Sequence, residues 1–287
     1  MRFDVAGEPG DPARPNEDYA AVALPASGAG GALVLLDGVT PPAGDDGCQH
    51  GVPWFTGRLG SRLLQLATTQ RDLCLTDCLT EAIASTAADH QTDCDLSHPR
   101  TPQATVIAAR WGEQAVEHLV LSDSVLLLES ASGEVLPLLD TRLDRLPRQV
   151  ARIREQVRAL PAGSAEHAAA RRAYVREVEA LRNAPGGQGF YTAAADPTVA
   201  TKAVTGHTPR ADLRGLLALT DGASRWTETF RLGDWASLLS LVRKEGSEAL
   251  LTQVRAAESA DPDGAAFPRG KCHDDATAAF VDLPAPR

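Results

Sequence analysis

The stretch Leu33-Val34-Leu35-Leu36-Asp37-Gly38 constrains this chain more than any other, because an unbroken aliphatic run ends abruptly in a carboxylate and a glycine. Consecutive aliphatic residues read as a strand buried on both faces, so Asp37 stands where that strand leaves the core. The device returns in Leu216-Leu217-Ala218-Leu219-Thr220-Asp221-Gly222, and Asp274-Asp275 precede a last apolar strand, Ala278 to Val281. An aspartate at one strand end is most simply a turn residue. Three acidic strand ends far apart in sequence point instead to one convergent oxygen site, of the kind that hard divalent cations such as Mg²⁺ and Mn²⁺ prefer.

Composition narrows the partners. A formal charge of −10 over 287 residues argues against nucleic acid, since phosphate backbones are held by basic surface. A hydrophobic fraction of 43% and a charged fraction of 23% are ordinary for a globular protein, and the longest apolar runs fall far short of a bilayer span, so no membrane partner is expected. The opening Met1-Arg2-Phe3-Asp4-Val5 has no apolar signal region, which makes the cytoplasm the expected compartment. Five cysteines, an odd number, suit a reducing environment better than a disulfide framework. Cys74, Cys78, His90, Cys94 and His98 match no familiar zinc spacing. The expectation for them is buried helical cysteines and exposed histidines.

Periodicity supplies the elements. Residues 1 to 6 and Tyr19 to Leu24 read as strands, and an antiparallel hairpin with the Asp37 strand would bring Glu17, Asp18 and Asp37 to one edge. Pro53 to Thr68 and Leu73 to His90 carry apolar residues at helical spacing and should cover one sheet face. Four short strands between Ala104 and Leu139 read as an antiparallel meander, with Asp123 at one of its corners. Leu146 to Arg182 is rich in Arg, Glu and Ala, is broken at Pro161-Ala162-Gly163, and reads as a helical hairpin inserted into a single domain spanning 1–287. Gly186-Gly187-Gln188-Gly189 lacks the Lys-Ser/Thr and preceding strand of a nucleotide-binding loop.

Taken in order, Asn16-Glu17-Asp18, Asp37-Gly38, Gln103-Ala104-Thr105-Val106, Ser122-Asp123-Ser124, Thr220-Asp221-Gly222 and Asp274-Asp275-Ala276-Thr277 resemble the motif series of the type 2C (PPM) metal-dependent protein phosphatases, in a divergent bacterial-like form. The resemblance implies an α+β fold, a four-layer α-β-β-α sandwich of two antiparallel sheets flanked by helices. It implies two Mg²⁺ or Mn²⁺ ions, with a third, weaker ion in bacterial members. Asp37 would bridge the pair, the carbonyl of Gly38 would ligate one ion, Asp221 and Asp274 the other, and Asp123 the third, while Glu17 and Asp18 would hold bound water. The implied activity is hydrolysis of phosphoserine and phosphothreonine in protein substrates through a water or hydroxide bridging the two cations.

The chain departs from the family at several points. Val39-Thr40-Pro41-Pro42 stands where bacterial members carry Met-Gly-Gly-His, and His50 is a candidate for the missing imidazole. Arg14 lies one residue from the family's phosphate-binding arginine and reads either as that group or as a solvated turn residue; Val125 replaces a common arginine, and Asp275 a common asparagine. These departures motivate an alternative, a catalytically weak relative that binds a phosphorylated partner or a metal for regulation. A third reading is a phosphohydrolase for small molecules.

Overall fold

The structure is a computed structural model and describes residues 1–26, 30–160 and 164–284. In chain order the elements are β1 (Arg2–Glu8), β2 (Tyr19–Ala23), β3 (Gly31–Gly38), α1 (Val52–Thr69), α2 (Leu75–His90), β4 (Ala104–Trp111), β5 (Ala115–Leu121), β6 (Val125–Ser130), β7 (Val135–Leu138), α3 (Arg148–Ala159), α4 (Ala165–Leu181), β8 (Val204–Pro209), β9 (Leu213–Leu219), α5 (Asp221–Glu228), α6 (Trp235–Glu245), α7 (Ser247–Ala260) and β10 (Ala276–Asp282). The strands form two antiparallel sheets, ordered β1-β10-β9-β6-β7 and β2-β3-β4-β5-β8.

Alternation along the central strands explains why they are apolar throughout. Successive side chains of a strand point to opposite faces. On β3, Ala32, Val34 and Leu36 meet Phe55 and Leu59 of α1 and Leu79 and Ile83 of α2. Leu33 and Leu35 point the other way, into a layer shared with Leu126, Leu216 and Ala279 of the second sheet. On β9 the same logic sends Leu217 and Leu219 toward Trp226, Leu238 and Leu250 of α5, α6 and α7. Helices therefore cover both outer faces, and the result is the expected α+β sandwich of four layers.

Register places the acidic ends together. Tyr19 pairs with Leu36 and Asp37 with Thr105, so the start of β2 and the end of β3 share an edge. In the other sheet Leu219 pairs with Ala278, which sets the exit of β9 beside the entry of β10.

The expected four-strand meander does not form. β4 and β5 pair with each other, but β6 pairs with β9 and β7 in the opposite sheet, so the chain changes sheets at Ser122-Asp123-Ser124. Ser122 adopts a left-handed φ of 70° there, and its N–H is held by Asp140 Oδ2 at 3.0 Å. Both β5 and β6 have apolar residues on both faces, so their pattern fits either sheet. In the 146–182 region α3 and α4 pack on each other, and Val150 is the one buried side chain among their described residues. The predicted break at Pro161-Ala162-Gly163 lies outside the described residues.

Candidate active site

Asp37 is the penultimate residue of β3, and its N–H receives support from Thr105 Oγ1 at 3.3 Å on the neighbouring strand. Asp221 begins α5 directly after β9, and its own N–H points at Asp37 Oδ2, 3.3 Å away. Glycines follow both aspartates for steric reasons. A Cβ on Gly38 would lie 2.5 Å from the Glu17 carbonyl oxygen, and one on Gly222 would lie 2.0 Å from the Asp275 carbonyl oxygen. The close backbone approach that gathers the carboxylates is thus possible only with glycine at these positions.

Asp18 reaches across to the other sheet. Its Oδ2 accepts from Thr277 Oγ1 at 2.7 Å and Thr220 Oγ1 at 3.1 Å, while its Oδ1 is buried and receives no hydrogen bond. Burial, followed by repulsion from Asp275 and Asp221, pushes its pKa up to about 8. Burial and repulsion from Asp274 and Asp123 push Asp221 to about 7, partly offset by Arg225 and Lys271. Asp37 is held well above the usual carboxylate range by burial and by Asp221, Asp18, Asp123 and Asp274. Burial also raises Asp123, against the opposing pull of its own backbone N–H, the Ser122 hydroxyl and the Arg182 guanidinium.

The flank toward solvent is built differently. Asp274 accepts from Arg225 Nη2 at 2.8 Å and Lys271 Nζ at 2.7 Å, and Arg225 is itself anchored to buried Glu258 at 2.5 Å. Asp275 has both oxygens committed to backbone, Oδ1 to Gly10 N–H and Oδ2 to Glu17 N–H, each at 2.7 Å. It ties the N-terminal loop to the entry of β10. Glu17 accepts from Thr40, lies 3.8 Å from Arg14, and is raised above its usual pKa chiefly by burial. A cleft of 270 Å³ opens here, lined by Arg14, Glu17, Thr40, Lys271, Asp274 and Asp275 among others.

Carboxylates from both sheets, raised by burial and by one another, together with the orphaned Asp18 Oδ1, supply the oxygen donors that hard divalent cations take. The fold brings Asp18, Asp37, Asp123, Asp221 and Asp274 close enough to perturb one another, with Glu17 and Arg14 at the cleft. His50 is not among them. It turns toward Cys48 and Cys94 instead, while Thr40 lines the cleft just past β3. Sequence reasoning missed Lys271, Arg225 and Glu258. Arg225 carried a signal, standing four residues after Asp221 on one helix face; Lys271 lies in an irregular loop that offers none.

No protein-family model and no curated protein sequence matches this chain. Solved structures do share its fold. The serine/threonine phosphatase Stp1 from Staphylococcus aureus aligns over 99% of this chain and 96% of its own at 12% identity, with a TM-score of 0.60. The S. agalactiae serine/threonine phosphatase aligns over 99% of both chains at 13% identity and a TM-score of 0.56. The catalytic domain of the serine/threonine protein phosphatase PstP, in complex with two manganese ions, covers 98% of this chain and 97% of its own at 15% identity and a TM-score of 0.52. At these identities the likeness is one of fold.

Proposed function

We propose that this chain is a Mg²⁺- or Mn²⁺-dependent phosphatase that hydrolyses phosphoserine and phosphothreonine in proteins. The observation that carries the reading is the Asp37–Asp221 contact at 3.3 Å inside a cluster of acids whose charges repel one another. Asp37, the Gly38 carbonyl, Asp221 and Asp274 would hold a pair of ions, and Asp123 a third. Such ions would lower the pKa of a water and neutralise charge on the oxygens of an in-line displacement at phosphorus.

The chain's own residues supply the rest. Arg14 and Lys271 line the cleft and would bind the phosphate oxygens by charge-assisted hydrogen bonds. Asp18 and Glu17 would orient water, Asp18 with its free Oδ1 and Glu17 from the position Asp275 gives its backbone. Arg225, braced by Glu258, would keep Asp274 aimed inward as substrate enters. The fold neighbours' activity on serine and threonine phosphate supports a phosphoprotein over a small molecule as substrate.

The test is turnover of phosphoserine and phosphothreonine peptides and of p-nitrophenyl phosphate, with Mn²⁺ and with EDTA. Hydrolysis that survives EDTA undiminished removes the proposal. A second reading, a weakly catalytic protein that binds a phosphorylated partner or a metal, draws on Lys271, whose ammonium already neutralises Asp274 and contacts Thr40 Oγ1 at 3.0 Å. Calorimetric Mn²⁺ binding without turnover on any phosphopeptide would select it.

A further inference from the structure

Cys48, His50, His90 and Cys94 lie apart from the carboxylate cluster and form a second concentration of metal-ligating groups. Cys48 and His50 sit in the loop between β3 and α1, His90 is the last residue of α2, and Cys94 follows in the next turn. One donor atom from each falls within 4.8 Å of all the others. Cys48 Sγ is 3.5 Å from Cys94 Sγ and 3.7 Å from His90 Nδ1; His50 Nδ1 is 3.3 Å from Cys94 Sγ and 3.9 Å from Cys48 Sγ. Zn–S and Zn–N bonds of about 2.3 and 2.0–2.1 Å in a tetrahedron put donor atoms about 3.3–3.8 Å apart. Four of the six edges, at 3.3–3.9 Å, lie at or within about 0.1 Å of that range, and the other two fall within 4.8 Å.

The surroundings are those of a built site. The N–H groups of Gln49 and His50 point at Cys94 Sγ and Cys48 Sγ, at 3.5 and 3.4 Å, where they would stabilise thiolates. The two ligand-bearing loops are also joined by main chain, Asp95 N–H to the Gly47 carbonyl at 2.8 Å, so the pairs are held in place by contacts other than the ligands themselves. His50 stacks on Trp54 with ring centroids 4.3 Å apart, and His90 is 2% exposed. Both cysteines are free thiols.

We infer that Cys48, His50, His90 and Cys94 bind one Zn²⁺ as a closed, tetrahedral structural site. Two thiolates and two neutral imidazoles complete four-coordination, which leaves no position for substrate or water. Binding displaces the two thiol protons to solvent, and the two thiolate charges balance the ion. Soft sulfur and imidazole donors select zinc, whereas the carboxylates around Asp37 select Mg²⁺ or Mn²⁺, so one chain sorts two kinds of metal. The zinc would fasten the loop that leaves Asp37-Gly38 to the end of α2, at a sequence separation of 42 residues between Cys48 and His90. The inference stands whether or not the chain is a phosphatase.

The experiment uses the full chain without a histidine tag, purified under reducing conditions and dialysed against Mn²⁺ buffer, with metals counted by plasma mass spectrometry. About one zinc per chain is expected, falling at least tenfold in the Cys48→Ser/Cys94→Ser double variant and unchanged in Asp37→Asn. Co²⁺ added to the zinc-free chain should give the visible absorption of a tetrahedral ion with a thiolate charge-transfer band in the near ultraviolet. This reading needs no variant, so a misfolded double variant leaves the test intact. Wild-type protein without zinc and with only octahedral cobalt absorption overturns the site, as does zinc retained by the folded double variant or a Cys48–Cys94 disulfide in the reduced preparation.

Discussion

The N–H of Asp221 donates to Oδ2 of Asp37 at 3.3 Å, although the two residues are 184 positions apart, Asp37 on β3 of one sheet and Asp221 at the start of α5 just past β9 of the other. Their carboxylates are therefore held near one another by the fold itself, against the repulsion that raises both pKa values. Asp37→Asn removes one of those charges. Metal-dependent turnover should fall by about 10²-fold or more, while the metal-free variant should melt at a higher temperature than the metal-free wild type. Phosphopeptide kinetics and thermal denaturation in EDTA read the two effects separately.

The raised acids also set a pH dependence. Asp18 titrates near 8 and Asp221 near 7 in the folded chain, against about 3.9 for an unfolded aspartate. Between those limits the folded state binds more protons than the unfolded state, so stability falls as pH rises. In EDTA the chain should be more stable at pH 5 than at pH 8. Mn²⁺ competes with those protons, so the melting-temperature increase it produces should be larger at pH 8 than at pH 5. A metal-free stability that climbs over this range would contradict the site's electrostatics.

Asp275 accepts two backbone N–H bonds, from Gly10 and Glu17. Asp275→Ala leaves both donors without a partner and should cost about 2–4 kcal/mol in urea denaturation. Asp275→Asn keeps one carbonyl oxygen and should cost less.

Lys271 places its ammonium on Asp274, where a divalent ion's charge would otherwise fall. Removing it should strengthen Mn²⁺ binding by calorimetry about tenfold, the order expected for losing one nearby like charge. Arg14 is largely exposed at the cleft, so Arg14→Ala should raise KM for a phosphopeptide and leave Mn²⁺ affinity unchanged. If both substitutions weaken metal binding equally, the division of labour between them is wrong.

The layered fold is legible because β3 and β9 are apolar on both faces, which only a strand between two layers requires. Their acidic ends are legible because a charge cannot continue such a run. The change of sheets at Ser122-Asp123-Ser124 is not, since Val120 and Leu126 would suit a hairpin equally well by hydropathy, and a backbone φ leaves no mark in composition. Asp275 hides its role because its partners are main-chain groups, which every residue carries. The cysteine–histidine cluster is obscured by proximity in sequence. Cys78 shares α2 with His90 and Cys74 caps its start, yet at about 1.5 Å per residue the helix places Cys74 roughly 24 Å from His90. The true neighbours, Cys48 and His50, come from a loop on the far side of α1.

Asp18 and Asp37 hang from one sheet, Asp221 and Asp274 from the other. Any ion lodged between them is consequently a rivet through the sandwich as well as a reagent. Shear of one layer past its partner would prise the rivet out, and its loss would loosen the seam along which the halves meet.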